Sequence, residues 1–195
     1  FNIAPQYGGN WFKTVRDASF QVASIVTTTG LTTLDYEVWP AFSKMVLLLL
    51  MFFGGCAGST GGAIKQIRIL LGLKAIRRDM QQLIHPKAVL PVMYGDQAIP
   101  ENTIREIMSF IFLYVLIFAT ASLLLLTQNM DFVSSTTAVA ATLGNVGPGF
   151  NLVGPAMNYG SLTTLTKWLL SFCMLLGRLE IYALLVMFMP GFWKK

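Results

Sequence analysis

Residues 54–62, Gly54-Gly55-Cys56-Ala57-Gly58-Ser59-Thr60-Gly61-Gly62, place five glycines within nine positions of otherwise apolar sequence. KMVLLLLMFF (44–53) precedes them and AIKQIRILLGLK (63–74) follows. Glycine weakens a helix interior because it loses more backbone freedom on ordering than any other residue. A bilayer core demands that every backbone polar group be paired internally, so a broken helix is tolerated there only where protein or a hydrated cavity covers it. Any fold for this chain must therefore bury an irregular loop at the level of its apolar helices.

The membrane premise comes from composition. The chain is 54% hydrophobic and only 12% charged, with a net charge of +5. Soluble domains carry about 25% charged residues, so a polar surface for a water-soluble core of this size is missing. No basic patch interleaved with stacking aromatics is present, which sets nucleic acid aside as a partner. Cys56 and Cys173 both lie in apolar segments and read as small reduced packing residues.

Two units follow from the order of elements. Residues 1–79 hold a pore helix at 13–27, too short to span ~30 Å of hydrocarbon, then a Thr/Gly segment at 28–33 and a broken helix at 39–79. Residues 80–103 form a polar connection interrupted by Pro86, Pro91, Gly95 and Pro100. Residues 104–195 supply a spanning helix at 104–127, a second pore helix at 131–143 with Asp131 as N-cap, a segment at 144–150 and a last helix at 161–190. Lys65, Arg68, Lys74, Arg77, Arg78, Lys87 and Arg105 crowd the connection, and Lys194 and Lys195 close the chain. The positive-inside rule places both regions in the cytoplasm, which makes the two short helices re-entrant.

The two units share a register. Gly30 and Gly147 are 117 residues apart, as are Cys56 and Cys173. Such repeats read as pore-helix and filter modules: main-chain carbonyls beyond a short helix can replace water around a monovalent cation without holding it permanently, and the negative helix end adds attraction. Thr28, Thr29 and Gly30 form one candidate coordinating triplet; Asn145, Val146 and Gly147 form the other.

The strings VTTTGLTT (26–33), GGCAGSTGGAIK (54–65), HPKAV (85–89), NVGPGF (145–150) and LLGRLEIY (175–182) resemble the Trk/Ktr/HKT superfamily of potassium transporters, in particular the carboxyl-terminal half of its TrkH-type membrane subunit. The resemblance implies an all-α integral membrane fold of repeated helix–pore helix–helix units, like a potassium channel, with two of an expected four units present. The first unit here lacks its first helix, so the chain reads as the end of a longer protein. Ala63 stands where many relatives carry glycine.

The resemblance further implies that the glycine stretch is an intramembrane gate below the filter. Gly54, Gly55, Gly58, Gly61 and Gly62 would permit its non-helical path, and Ser59 and Thr60 would partner the freed backbone groups. Close helix packing through Gly54 and Gly58 is the plainer alternative. Arg178 lies in the middle of an apolar run, where an unpaired charge costs at least ~2.5–3.5 kcal/mol. In the 117-residue register it falls on Gly61, so it is expected either to donate to loop carbonyls and hold the loop shut, or to form a structural ion pair with another helix. Glu180 is expected to point away from it. The implied ligand is potassium, as the transported ion and without an organic cofactor in this chain. Implied partners are the lipid bilayer, a second copy in a homodimer, and a cytosolic nucleotide-binding regulatory subunit docking on 65–87 and on Trp193, Lys194 and Lys195. The implied location is a bacterial inner membrane, with the carboxyl terminus cytoplasmic.

Enzyme chemistry fits poorly. Ala57-Gly58-Ser59-Thr60-Gly61 has the outline of a nucleophile elbow, but the single histidine, His85, lies in the basic connection. No Gly-Lys-Ser/Thr follows at P-loop spacing, and no Cys/His cluster matches a metal site. A non-conducting structural subunit and, more remotely, an intramembrane hydrolase are the alternatives to conduction.

Overall fold

The computed structural model describes residues 2–88, 90–179, 181–187 and 193. Phe1, Val89, Glu180, residues 188–192, Lys194 and Lys195 lie outside that set, and with them the orientation of Glu180, the end of the last helix and the terminal lysines.

Helix α1 (Trp11–Val26) starts at Asn10, whose side chain accepts from the Lys13 N–H at 3.1 Å. Its buried stripe is Thr14, Asp17, Gln21, Ser24 and Ile25, while Phe12 on the other side is 82% exposed. A helix that buries its polar side and presents Trp11, Phe12 and Val15 outward is inverted relative to a helix on a water-soluble core. Helix α2 (Ala41–Leu50) runs into the glycine stretch, and α3 (Gln66–Ile84) leaves it. The sequence predicts an end near residue 79. Helix α3 continues to Ile84 because no breaker intervenes before Pro86, which disfavours helical backbone at His85.

The connection holds a two-residue hairpin, β1 (Met93–Tyr94) with β2 (Gln97–Ala98), and is clipped to α3. Lys74 Nζ donates to the Met93 carbonyl at 2.8 Å, and Arg78 pairs with Glu101 and Asp79. Helix α4 (Glu101–Leu126) is, among the described residues, the one helix long and apolar enough to cross a membrane. Helix α5 (Phe132–Leu143) is nearly surrounded by protein, with Ser134, Ser135 and Val139 among its fully buried positions. It packs between α4 and α6 (Thr164–Arg178) in the main core with Phe110, Tyr114, Leu125, Leu170 and Cys173. A second core joins α1, α2 and α5 through Ile25, Leu47, Met51, Ala140 and Val146.

The last helix departs from the expected unbroken run at 161–190. Helix α6 ends at Arg178, and α7 (Tyr182–Met187) starts after a wide turn in which the Leu176 carbonyl accepts from the Ile181 N–H, five residues on. That longer reach interrupts the four-residue ladder of an α-helix.

At the head of α5, Asp131 accepts from the Ser134 N–H at 3.0 Å and from Asn151 Nδ2 at 3.1 Å. Burial pushes its carboxyl up, but the hydrogen bonds from Ser134 and Asn151 outweigh it and hold the group below the usual carboxylate range. A depressed folded value means that the stabilisation is complete above the unfolded pKa and disappears as pH falls through the folded one. Asp131→Ala should therefore cost about 1 kcal/mol at neutral pH, and the gap to wild type in thermal melts should close below roughly pH 4.

Candidate functional site

The segments after α1 and α5 repeat bond for bond at the 117-residue offset. Thr27 N–H reaches the Ala23 carbonyl and Gly144 N–H the Ala140 carbonyl, both at 2.9 Å. Thr28 donates to Ile25 and Asn145 to Thr142, both at 3.0 Å. Thr29 and Gly30 then donate together to Ser24, at 2.9 and 3.3 Å, just as Val146 and Gly147 donate to Ala141, at 2.8 and 3.3 Å. The backbone torsions repeat as well: φ is 55° at Thr28 and 56° at Asn145, then 72° at Gly30 and 107° at Gly147. The glycines satisfy that geometry without strain. Asparagine tolerates it, whereas a β-branched threonine does so at a cost, which marks Thr28 as a strained position. The glycines of this pattern are visible in the sequence; the left-handed Thr28 and Asn145 are not.

The two segments touch. A methyl group on Gly30 would overlap the Val146 carbonyl oxygen and lie 3.2 Å from Pro148 Cδ. Val146 is buried and Thr29 exposed, so the pair meets along one side and is open along the other.

Directly against them lies the glycine stretch. Its base is pinched by Gly54 N–H to the Ile64 carbonyl, at 2.8 Å, and by Ile64 N–H to the Phe52 carbonyl, at 3.1 Å. A Cβ on Gly61 would lie 3.1 Å from Thr28 Oγ1, and one on Gly62 would overlap the Gly144 carbonyl. The tip, Cys56 to Gly58, is exposed. Gly55 packs on Ser59, whose buried hydroxyl has no partner, so the loop is held by backbone bonds and not by the Ser59 side chain as expected. Thr60 contributes its carbonyl: Arg178 Nη1 donates to it across the gap between the two units. Of the two expectations for Arg178, this is the loop-carbonyl contact. Beside it, Gly177 packs so closely on the Leu143 carbonyl that no side chain fits, and Asn145 Nδ2 donates to the Met174 carbonyl at 3.2 Å. Ala63, at the loop's exit, has φ 59°, a conformation that glycine adopts without penalty.

On the opposite side of the triplets stand residues that sequence reasoning passed over. Tyr36 donates its hydroxyl to the Gly149 carbonyl at 3.2 Å, and the neighbouring Glu37 accepts from the Asn151 N–H. Tyr159 donates to the Gly147 carbonyl at 2.6 Å. Burial raises the Tyr36 phenol and pushes that of Tyr159 up to about 12, so both stay protonated donors. No spacing rule could have found them, because each reaches a segment distant in sequence or beyond a turn.

Among the described residues no group of His, Cys, Asp and Glu side chains is arranged to hold a metal. The oxygens on offer at the triplets are main-chain carbonyls together with the Thr28 and Thr29 hydroxyls and the Asn145 amide oxygen. Ser59 lies in the loop that precedes α3 and His85 caps the far end of that helix, whose 19 residues measure about 28 Å.

Comparison with known proteins places this geometry in context. The family model TrkH, described as a cation transport protein, matches residues 11–195. The Trk system potassium uptake protein TrkH of Escherichia coli K12 is 43% identical over 182 residues, which cover 93% of this chain and 37% of that protein. TrkG of the same organism is 40% identical over 90% of this chain and 36% of its own length. The crystal structure of the potassium transporter TrkH from Vibrio parahaemolyticus superposes with a TM-score of 0.88 at 39% identity, covering 99% of this chain and 41% of that one. The chain thus spans little more than a third of the curated relatives it matches.

The two triplet glycines should differ in tolerance. Both have positive φ, 72° at Gly30 and 107° at Gly147, so alanine costs at least ~1–2 kcal/mol at either. Only at Gly30 does the new methyl also strike a neighbouring backbone, since nothing lies within 4 Å of a Cβ on Gly147. Gly30→Ala should lower the melting temperature clearly further than Gly147→Ala, and equal losses would contradict the close approach.

Proposed function

Because the chain belongs to the TrkH family of cation transport proteins, we propose that it forms part of a potassium uptake pathway in a bacterial inner membrane, the activity its relatives are named for. It works as a transport protein and not as an enzyme. The observation that carries the reading is the bond-for-bond repetition of Thr28–Gly30 in Asn145–Gly147, two segments in contact. In each, the N–H groups of the second and third residues turn back to the helix end, which leaves the carbonyls of the segment free of N–H partners within it. Carbonyl oxygens of this kind can replace part of the water around potassium while letting it leave. Two segments enclose only part of a ring, and the exposed side at Thr29 is where further units of a longer protein would complete it.

The loop from Gly54 to Gly62 acts as the gate. Its contacts with Thr28 and Gly144 support a position at the inner mouth of the filter, and among the described residues the Arg178–Thr60 hydrogen bond ties it to the other unit. Low local order suits a movable element. Arg178 additionally places a positive charge beneath the filter, which raises the barrier to a cation when the loop is shut. The basic connection faces the cytoplasm, as does the carboxyl terminus, and potassium moves inward. The full protein assembles as a homodimer with a cytosolic nucleotide-binding regulator, which docks on the basic surface of α3 and the connection; anionic headgroups are the competing occupant of that surface.

Potassium uptake by the full-length protein in proteoliposomes tests the reading. A charge-assisted hydrogen bond is worth about 1.5–3 kcal/mol, so Arg178→Ala should shift the closed-to-open balance by roughly ten- to a hundredfold and raise potassium flux. Unchanged flux in a well-folded Arg178→Ala protein would remove the arginine from the gate. A purely structural role for the chain would instead leave transport intact when Gly30 and Gly147 carry side chains.

A further inference from the structure

The two triplets are alike except in what holds their third carbonyl. Tyr159 donates to the Gly147 carbonyl at 2.6 Å. Its counterpart in the first unit, Tyr36, which likewise opens a short helical turn ahead of the next helix, donates instead to the Gly149 carbonyl, at 3.2 Å. A carbonyl oxygen has two lone pairs, and this bond commits one of them and fixes the direction of the dipole. Gly147 needs that help: its φ of 107° is open to glycine alone, and no atom lies within 4 Å of where a Cβ would sit. Without an outside partner, the peptide after such a residue is free to swing. Tyr159 is itself held in place. Its ring packs against the main core, and the adjoining Gly160 is tied by Lys167 Nζ to its carbonyl, at 2.7 Å, and by the Asn158 side chain to its N–H, at 2.8 Å. Burial keeps the phenol protonated far above neutral pH.

We propose that Tyr159 is a positioning residue for ion specificity: its hydroxyl holds the Gly147 carbonyl at a fixed place, so that this half of the filter cannot close around a cation smaller than potassium. The inference rests on the reading of Asn145–Gly147 as a coordinating segment. Oxygens that can move inward accommodate sodium; oxygens tethered from behind penalise it. The tether also makes the two units unequal: among the described residues no side chain bonds the Gly30 carbonyl.

The test uses the full-length protein in proteoliposomes, with potassium and sodium uptake measured separately for wild type and Tyr159→Phe, and melting temperatures recorded for both. Wild-type protein that moves no potassium overturns the filter reading itself. Where wild type does move it, Tyr159→Phe should lower the potassium-to-sodium flux ratio by about threefold or more with little change in melting temperature. An unchanged ratio overturns the role of Tyr159 and leaves the filter reading standing. If Tyr159→Phe does not fold, a ring-fluorinated tyrosine at position 159 retains both ring and hydroxyl but ionises at lower pH. The flux ratio should then fall as pH rises over a range where wild type is flat, and a flat profile overturns the inference.

Discussion

Two consecutive N–H groups donating to one helix-end carbonyl are the bonds on which the rest of the molecule depends. Thr29 and Gly30 share Ser24, and Val146 and Gly147 share Ala141. Backbone donors inside an apolar surround must be paired, and here the pairing is done backwards, into the preceding helix. The carbonyls of the same residues are thereby left to face elsewhere. A strand would have alternated them across two sides and spent them on a partner strand; the left-handed turns at the first and third positions prevent that. Everything around the triplets serves this arrangement. The polar stripe of α1, with Ser24 and Gln21 buried, supports one segment from behind, and α5, buried from Thr137 to Leu143, supports the other.

The close approach of the segments forces the glycine pattern beneath them. Gly61 and Gly62 lie against Thr28 and Gly144 with no room for a side chain at Gly62, and Gly177 meets the Leu143 carbonyl on the other flank. Three backbones converge on the ends of α1 and α5. Glycine at Gly54 and Gly62 therefore reflects contact, whereas Gly58, in open space with φ 80°, reflects turn geometry. The choice posed by the sequence between a flexible loop and a packing surface resolves position by position: the base of the loop is packed and its tip is free.

Much of this was legible before any coordinates. The 117-residue offset read from Gly30 and Gly147 is the one at which four pairs of backbone hydrogen bonds recur. Beyond the triplets the offset becomes 123, where the Lys44 bond to the Glu37 carbonyl recurs as Lys167 to Gly160, so the exposed Cys56 is not the counterpart of the buried Cys173. The short helices were legible from their length and from Asp131 and the threonines that bound them. Other features left no trace in periodicity or composition. The break after Arg178 falls in an apolar run without proline, so only the tertiary setting of Gly177 and Ile181 reveals it. Ser59 looked like a partner for loose backbone, yet its hydroxyl is unpaired. Tyr36, Glu37 and Tyr159 act across distances that no local pattern encodes, and in a chain of 14 phenylalanines and 6 tyrosines a single functional hydroxyl does not stand out.

The repeat also locates where the two units stopped being equivalent. On one side of the triplets, the first unit supplies the loop and the second the Arg178 guanidinium that bonds it. On the other side, Tyr159 bonds the Gly147 carbonyl, whereas its counterpart Tyr36 bonds that of Gly149. Between these two levels the backbone torsions and hydrogen bonds are nearly superimposable. Under the transport reading proposed above, a frame copied at its centre and changed to either side lets ions meet like oxygens from both units, while one unit alone carries the loop and the other the charge that bonds it.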